Sequence, residues 1–132
     1  LESLNILNNR KKSPTQLTRN SKLFKSIIAA LEEKKGRDIV SLDLRKIPEA
    51  VADFFVICTG GSSTQVAALA GYVEELVKKD CDEWPYHSEG QQNAQWVLVD
   101  YVNVVVHVFQ EDQRQFYGLE EMWSDADRKE HR

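Results

Sequence analysis

Hydrophobic and polar positions follow two different periods along this chain, and the changes of period delimit its elements. Leu23, Phe24, Ile27, Ile28 and Leu31 recur three and four apart, which predicts an amphipathic helix with Lys34 and Lys35 in its last turn and Gly36 as its stop. The period then falls to two in DIVSLDLR, where Ile39, Ser41 and Asp43 alternate with Val40, Leu42 and Leu44, predicting a strand with one more polar face. Pro48 breaks that pattern. DFFVICTG is a continuous apolar run rich in β-formers, which predicts a strand covered on both faces. Helical spacing returns after GGSSTQ. Ser62 is placed as N-cap with Gln65 three residues on, a capping-box arrangement, ahead of Val66, Leu69, Ala70, Val73, Leu76 and Val77.

A loop with Asp80, Pro85 and Gly90 follows, with room for a short strand around Trp84 to His87. AQWVLVDY and NVVVHVFQ are separated by very few residues, so they are expected to form an antiparallel hairpin. If Val102 and Asn103 make a two-residue turn, with Asn103 the residue better able to accept a positive φ, Leu98 pairs with His107 and Asp100 with Val105. Trp96, Leu98, Asp100, Val105, His107 and Phe109 then share one face. Asp112 is expected to cap a last helix in which Phe116, Leu119 and Trp123 share a buried face. The predicted order is α-β-β-α-(β)-β-β-α: one mixed sheet with flanking helices, an α/β or α+β layered fold. The domain is expected over residues 17–126. A flexible basic arm (1–16) precedes it and a charged tail (127–132) follows.

At 132 residues there is length for one domain of ordinary size. The net charge of -4 conceals an asymmetry: residues 1–37 hold nine Lys/Arg against three acids, and residues 38–132 hold eight against eighteen. An acidic body repels phosphate backbones, so direct sequence-specific nucleic-acid binding is not expected of the folded part, and a basic partner is. The basic arm is free to touch RNA nearby. Cys58 and Cys81 are lone cysteines with no C-x-x-C pair, which suits a reducing compartment. No apolar run reaches the roughly 18 residues that span a bilayer, and the N-terminus lacks the apolar core of a secretory signal. The expectation is a soluble cytoplasmic protein with no membrane contact.

Asp100 at the mouth of an oily hairpin and His107 near its centre admit a catalytic pair, a metal site, a satisfied polar pair or part of a recognition surface. Nucleophilic catalysis needs a serine or cysteine positioned by its base, and neither Ser62, Ser63 nor Cys58 lies in a nucleophile motif. Cys81, His87, His107 and His131 lack metal-ligand spacing. TGGSST feeds a helix N-terminus whose amides suit a phosphate. A nucleotidyl or phosphoryl transferase would also need carboxylates converging on magnesium, and the later strands offer Asp100 without a neighbouring D-x-D. That enzymatic reading stays the alternative; no cofactor is expected. The last third instead concentrates Trp84, Tyr86, Trp96, Tyr101, Phe109, Phe116, Tyr117 and Trp123 beside Glu89, Asp100 and Glu120, the composition of a protein-binding patch. The same patch pairing with itself would give a homodimer. Arg114 either joins it or is a solvated helix-face charge.

Four strings in order, DIVSLDL, ADFFVICTGGSSTQVAALA, EGQQNAQWVLVDYVNVVVHVF and RQFYGLEEMWSDA, resemble the ribosomal silencing factors, the RsfS/Iojap family, over roughly residues 22–126. The resemblance implies a small α/β domain similar in fold to nucleotidyltransferases but without their activity. It implies binding to the large ribosomal subunit through ribosomal protein L-fourteen, and repression of translation by blocking subunit joining. Carried over, the family's motifs fall on Glu89, Gly90, Trp96, Asp100, His107, Arg114, Tyr117, Leu119, Glu120 and Trp123. Of these, Glu89, Gly90, Trp96, Asp100, His107, Arg114, Tyr117 and Glu120, together with Tyr101, form the expected partner-binding set. The chain departs from the family at the hairpin turn, with Val102 and Asn103 in place of the usual Gly-Asp.

Overall fold

In a computed structural model of the protein, residues 16–131 are described. The elements are α1 (Lys22–Glu33), β1 (Arg37–Asp43), β2 (Phe54–Gly60), α2 (Ser63–Cys81), β3 (His87–Glu89), β4 (Trp96–Asp100), β5 (Val104–Gln110), α3 (Glu111–Tyr117), α4 (Leu119–Met122) and β6 (Asp127–His131). The expected basic arm lies outside the described residues except for Gln16.

The six strands form one mixed sheet in the order β3-β4-β5-β2-β1-β6. Only the central β2–β5 pair is parallel; the other pairs are antiparallel. Every residue of β2 is buried, as its unbroken apolar run implies for a strand covered on both faces. On one face α1 and α2 bury Phe24, Ile27, Leu31, Leu69 and Val73 against Phe54, Val56, Val97, Val99, Val106 and Val108. On the other, Val40, Leu42, Phe55, Ile57, Leu98, Val105 and Phe109 are covered by the 44–52 segment and by Leu119, Tyr117 and Trp123. This second cover is thinner, two short helices in place of two long ones, and it leaves the edge near β3 and β4 half open.

Helix ends follow local chemistry. Ser21 caps α1 through its hydroxyl, which accepts from the Phe24 N–H at 3.2 Å. The expected stop at Gly36 is displaced by one residue: Lys35 takes the left-handed conformation (φ 60°), and the Gly36 N–H returns to the Leu31 carbonyl at 2.8 Å. Gly36 is required for closeness, since a Cβ there would lie 2.3 Å from Cys58 Sγ.

The hairpin register is the expected one, with Trp96 opposite Phe109, Leu98 opposite His107 and Asp100 opposite Val105. Its turn is not. Val102, and not Asn103, has the positive φ (71°), and the Asn103 N–H donates to the Tyr101 carbonyl at 2.9 Å across it. Asn103 is committed elsewhere: its Nδ2 donates to the buried Asp53 carboxylate at 2.7 Å, and its carbonyl accepts from Asp53 and Phe54. That carboxylate also accepts the Leu17 N–H at 2.9 Å, tying the start of the domain to the turn.

Two further expectations fail at the C-terminal end. The helix expected to be capped by Asp112 instead starts at Glu111, with Gln110 at its N-cap position and Asp112 inside its first turn, and it is broken at Gly118, which takes φ 55° and separates α3 from α4. Phe116, expected in the core, is 79% exposed in consequence. Residues 127–131, read as a charged tail, form β6 and pair with β1 from Ile39↔His131 to Asp43↔Asp127. Charged side chains suit an edge strand exposed along most of its length, so the polar pattern concealed it.

Candidate protein-binding face

Trp96 opens β4 with its ring on Phe109, centroids 4.9 Å apart and 26° between planes, and Tyr117 from the end of α3 leans on it at 4.6 Å. The indole Nε1–H donates to His107 Nδ1 at 3.1 Å. His107 is fully buried between Phe55 and Phe109, and burial pushes its pKa down to about 3. The ring is therefore neutral. With Nδ1 accepting, its proton sits on Nε2, which has no hydrogen-bond partner among the described residues.

Around Trp96 the chain forms a hollow of about 190 Å³ lined by Glu89, Gly90, Asn93, Gln95, Trp96, Leu98, Gln113 and Tyr117. Gly90 makes the close approach: it has φ 97°, and a Cβ there would lie 2.1 Å from the Trp96 carbonyl oxygen. Glu89 stands on the edge strand β3 opposite Leu98, half-buried, with His87 Nε2 3.6 Å from its Oε2.

Arg114 and Glu120 belong to a different structure. The Arg114 side chain is only 10% exposed, and it donates at 2.8 Å each to Glu120 Oε1, the Asp38 carbonyl and Thr59 Oγ1. Asp38 lies at a register shift in β1 with φ 49°, which turns its carbonyl toward α3. Arg114 is thus a clamp joining α3 and α4 to β1 and β2, and not the solvated helix-face charge that its position suggested. Burial would raise the Glu120 pKa, but its hydrogen bonds and charge pairing with Arg114 and Arg128 prevail and hold the carboxyl below the usual range.

The nine residues expected at a binding face therefore separate. Glu89, Gly90, Trp96 and Tyr117 meet around one hollow, while Arg114 and Glu120 line a second, larger one of about 640 Å³ with Asp38 and Arg128. Asp100, Tyr101 and His107 are buried and do not present themselves to a partner. Asp100 and His107 are not a hydrogen-bonded couple: Asp100 Oδ1 accepts the Val102 N–H at 2.7 Å and steadies the turn, whereas His107 serves Trp96. Tyr101 faces the helices, where burial first and then Glu74 and Glu83 raise its pKa. Sequence reasoning missed the exposure of Phe116, whose ring meets Tyr117 edge-on at 5.1 Å, and of Met122. A glycine two residues after Phe116 was the available signal.

Two amides at the TGGSST turn, those of Gly61 and of Gln65 just after it, are used internally. Ser62 Oγ accepts the Gln65 N–H at 3.1 Å, and Gln65 Oε1 accepts the Gly61 N–H. Among the described residues no group of three or more His, Cys, Asp or Glu side chains is arranged to hold a metal ion, and no helix is long and apolar enough to cross a membrane.

These features define a small α+β domain with one well-covered sheet face and one face that leaves an aromatic and acidic hollow open. Residues 17–132 match the family described as ribosomal silencing factor during starvation, RsfS, and the chain belongs to that family. It is 39% identical over 107 residues to the ribosomal silencing factor RsfS of Halalkalibacterium halodurans, covering 81% of this chain and 90% of that one. A crystal structure of a Chromobacterium violaceum protein superposes with a TM-score of 0.73 at 38% identity, covering 77% of this chain and 83% of the other. A more distant relative, 30% identical over 101 residues (74% of this chain, 43% of its own length), is the mouse mitochondrial assembly of ribosomal large subunit protein 1.

Proposed function

We propose that this chain binds the large ribosomal subunit through ribosomal protein L-fourteen and represses translation by standing where the small subunit must dock. The observation that carries the reading is the open hollow of Glu89, Trp96 and Tyr117 beside the exposed Phe116, set in a body with eighteen acids against eight bases. Rigid aromatics beside carboxylates make an anchor for a basic protein surface. Membership of the ribosomal silencing family and the name of the mouse relative support the large subunit as the place of binding. The mechanism needs no bond-making step; the bound domain acts through its volume.

Sedimenting the protein with separated ribosomal subunits tests this. It is expected to travel with large subunits and not with small ones, and to be captured by isolated ribosomal protein L-fourteen. Trp96→Ala is expected to weaken capture by at least about 1 kcal/mol. Equal partition between the subunits, or no association at low salt, would reject the reading.

A further inference from the structure

We propose that the flank formed by the start of α1, the end of β1 and β6 is a phosphate-contacting surface centred on Arg19, and that it rests on an RNA backbone. The proposal builds on the large-subunit reading and adds a nucleic-acid contact to the protein contact at the Trp96 face.

Arg19 has an oriented fork and nothing to fill it. Its guanidinium lies over the Phe54 ring, 5.6 Å from the centroid, and its side chain is 31% exposed. It makes no hydrogen bond to a described residue; Nη1 stands 3.9 Å from Asp43 Oδ2. That carboxylate is already taken, because Arg45, stacked on the same ring, reaches its two oxygens at 2.9 and 2.7 Å. Two guanidiniums thus share one carboxylate, and one positive charge is left over. An arginine docked on a ring with its fork open suits an oxyanion, since its geometry is set before the ligand arrives.

The surroundings extend the positive field. Alternation along β6 sets Lys129 and His131 on the side of α1, where His131 meets Phe24, and Arg128 and Glu130 on the other side, where Arg128 pairs with Glu120. Burial first, and then the charges of Lys129 and Arg19, lower the His131 pKa, so both cations bear on one place. Asp127 offsets Lys129 there, but α1 opens with Lys22 and has no acid in its first turn. In the sequence, residues 3–31 hold six Lys or Arg and no Asp or Glu. Such a run matches a repeating polyanion, and contacts to its phosphates carry no sequence information. The acids of the Trp96 face do not cancel it. They lie at the β3–β4 edge and Arg19 at the β1–β6 edge, about 24 Å apart over five strand spacings, against a screening length of about 8 Å at physiological salt.

Fluorescence anisotropy of a labelled oligouridylate titrated with the full chain, repeated over a salt series, tests the assignment. Each single-strand phosphate contact adds about 0.7 to the slope of log affinity against log salt, a factor of about five at 0.1 M. Arg19→Gln is expected to lose that much of both. Arg19→Lys keeps the charge without the fork and is expected to bind more weakly at an unchanged slope. Lys79→Gln, which removes the same charge from the exposed end of α2, is expected to alter neither. Polyglutamate of equal charge is expected to compete poorly for the chain. Thermal melts confirm that Arg19→Gln folds; should it not, Lys129→Gln makes the same comparison from β6. No binding at low salt, equal competition by polyglutamate, or a flank variant that behaves as Lys79→Gln does would overturn the proposal. The two readings fail separately. A protein that binds the oligouridylate through Arg19 but does not sediment with large subunits keeps the flank and loses the ribosomal role, and the converse removes only the flank.

Discussion

Val102 occupies the one hairpin position with a positive φ, where a β-branched residue is strained. The backbone needs that conformation because Asn103 is held by Asp53 and cannot take its place. Val102→Gly relieves strain of about 1–3 kcal/mol and gives back part of it as unfolded-state entropy, about 0.5–1 kcal/mol. A net gain of about 1 kcal/mol in urea unfolding is therefore expected. His107 makes a second prediction at this scale. Its pKa falls from 6.5 to about 3 on folding, so below pH 6.5 the unfolded chain binds a proton that the native ring refuses. The stability from burying a neutral ring is whole above pH 6.5 and is lost progressively as pH falls toward 3. Its contribution to the slope reaches about 1.4 kcal/mol per pH unit. Unfolding curves from pH 7 to 4 are expected to show this slope, and His107→Gln to flatten it.

The elements show what the sequence makes legible and what it conceals. Strands β1, β2, β4 and β5 were readable because their apolar periods report burial directly, and Ser62 was readable as a cap because capping is local chemistry. The hairpin register followed from the shortness of the connection. The α3–α4 break was not readable from periodicity, since Phe116, Leu119 and Trp123 fit one continuous helix; only the left-handed Gly118 rotates Phe116 into solvent while Leu119 stays in the core. β6 escaped because an edge strand does not need an apolar face to pair. Of the candidate site, the Glu89–Trp96 neighbourhood was legible from the motif. The burial of Tyr101 depends on its packing in the cluster beneath the helices, and the clamping role of Arg114 on contacts more than fifty residues apart in sequence. Two outcomes follow for these elements. Arg114→Lys loses the fork that joins α3 to β1 and β2, leaving the Asp38 carbonyl and the Thr59 hydroxyl without that donor while Glu120 keeps Arg128, and is expected to cost about 1–2 kcal/mol in stability. Phe116→Ser removes an exposed ring and is expected to change stability by less than about 0.5 kcal/mol, while weakening capture by large subunits.

For the whole molecule, the charge asymmetry makes a statement about association. An acidic face approaching a basic ribosomal protein is steered by long-range attraction that salt screens, the Debye length shrinking from about 10 Å at 0.1 M to about 3 Å at 1 M. Binding to large subunits is therefore expected to weaken as salt rises, chiefly through slower association. Glu89→Gln is expected to reduce that dependence, whereas Trp96→Phe, which keeps an aromatic anchor and the charge, is not.

Light scattering during the mixing of small and large subunits, with the protein bound beforehand to the large ones, puts steric exclusion to its most direct test. A lost rise in scattering with this chain, restored when Trp96→Ala replaces it, is the predicted result. Subunits that join at their ordinary rate and extent while the protein remains on the large subunit would contradict the account.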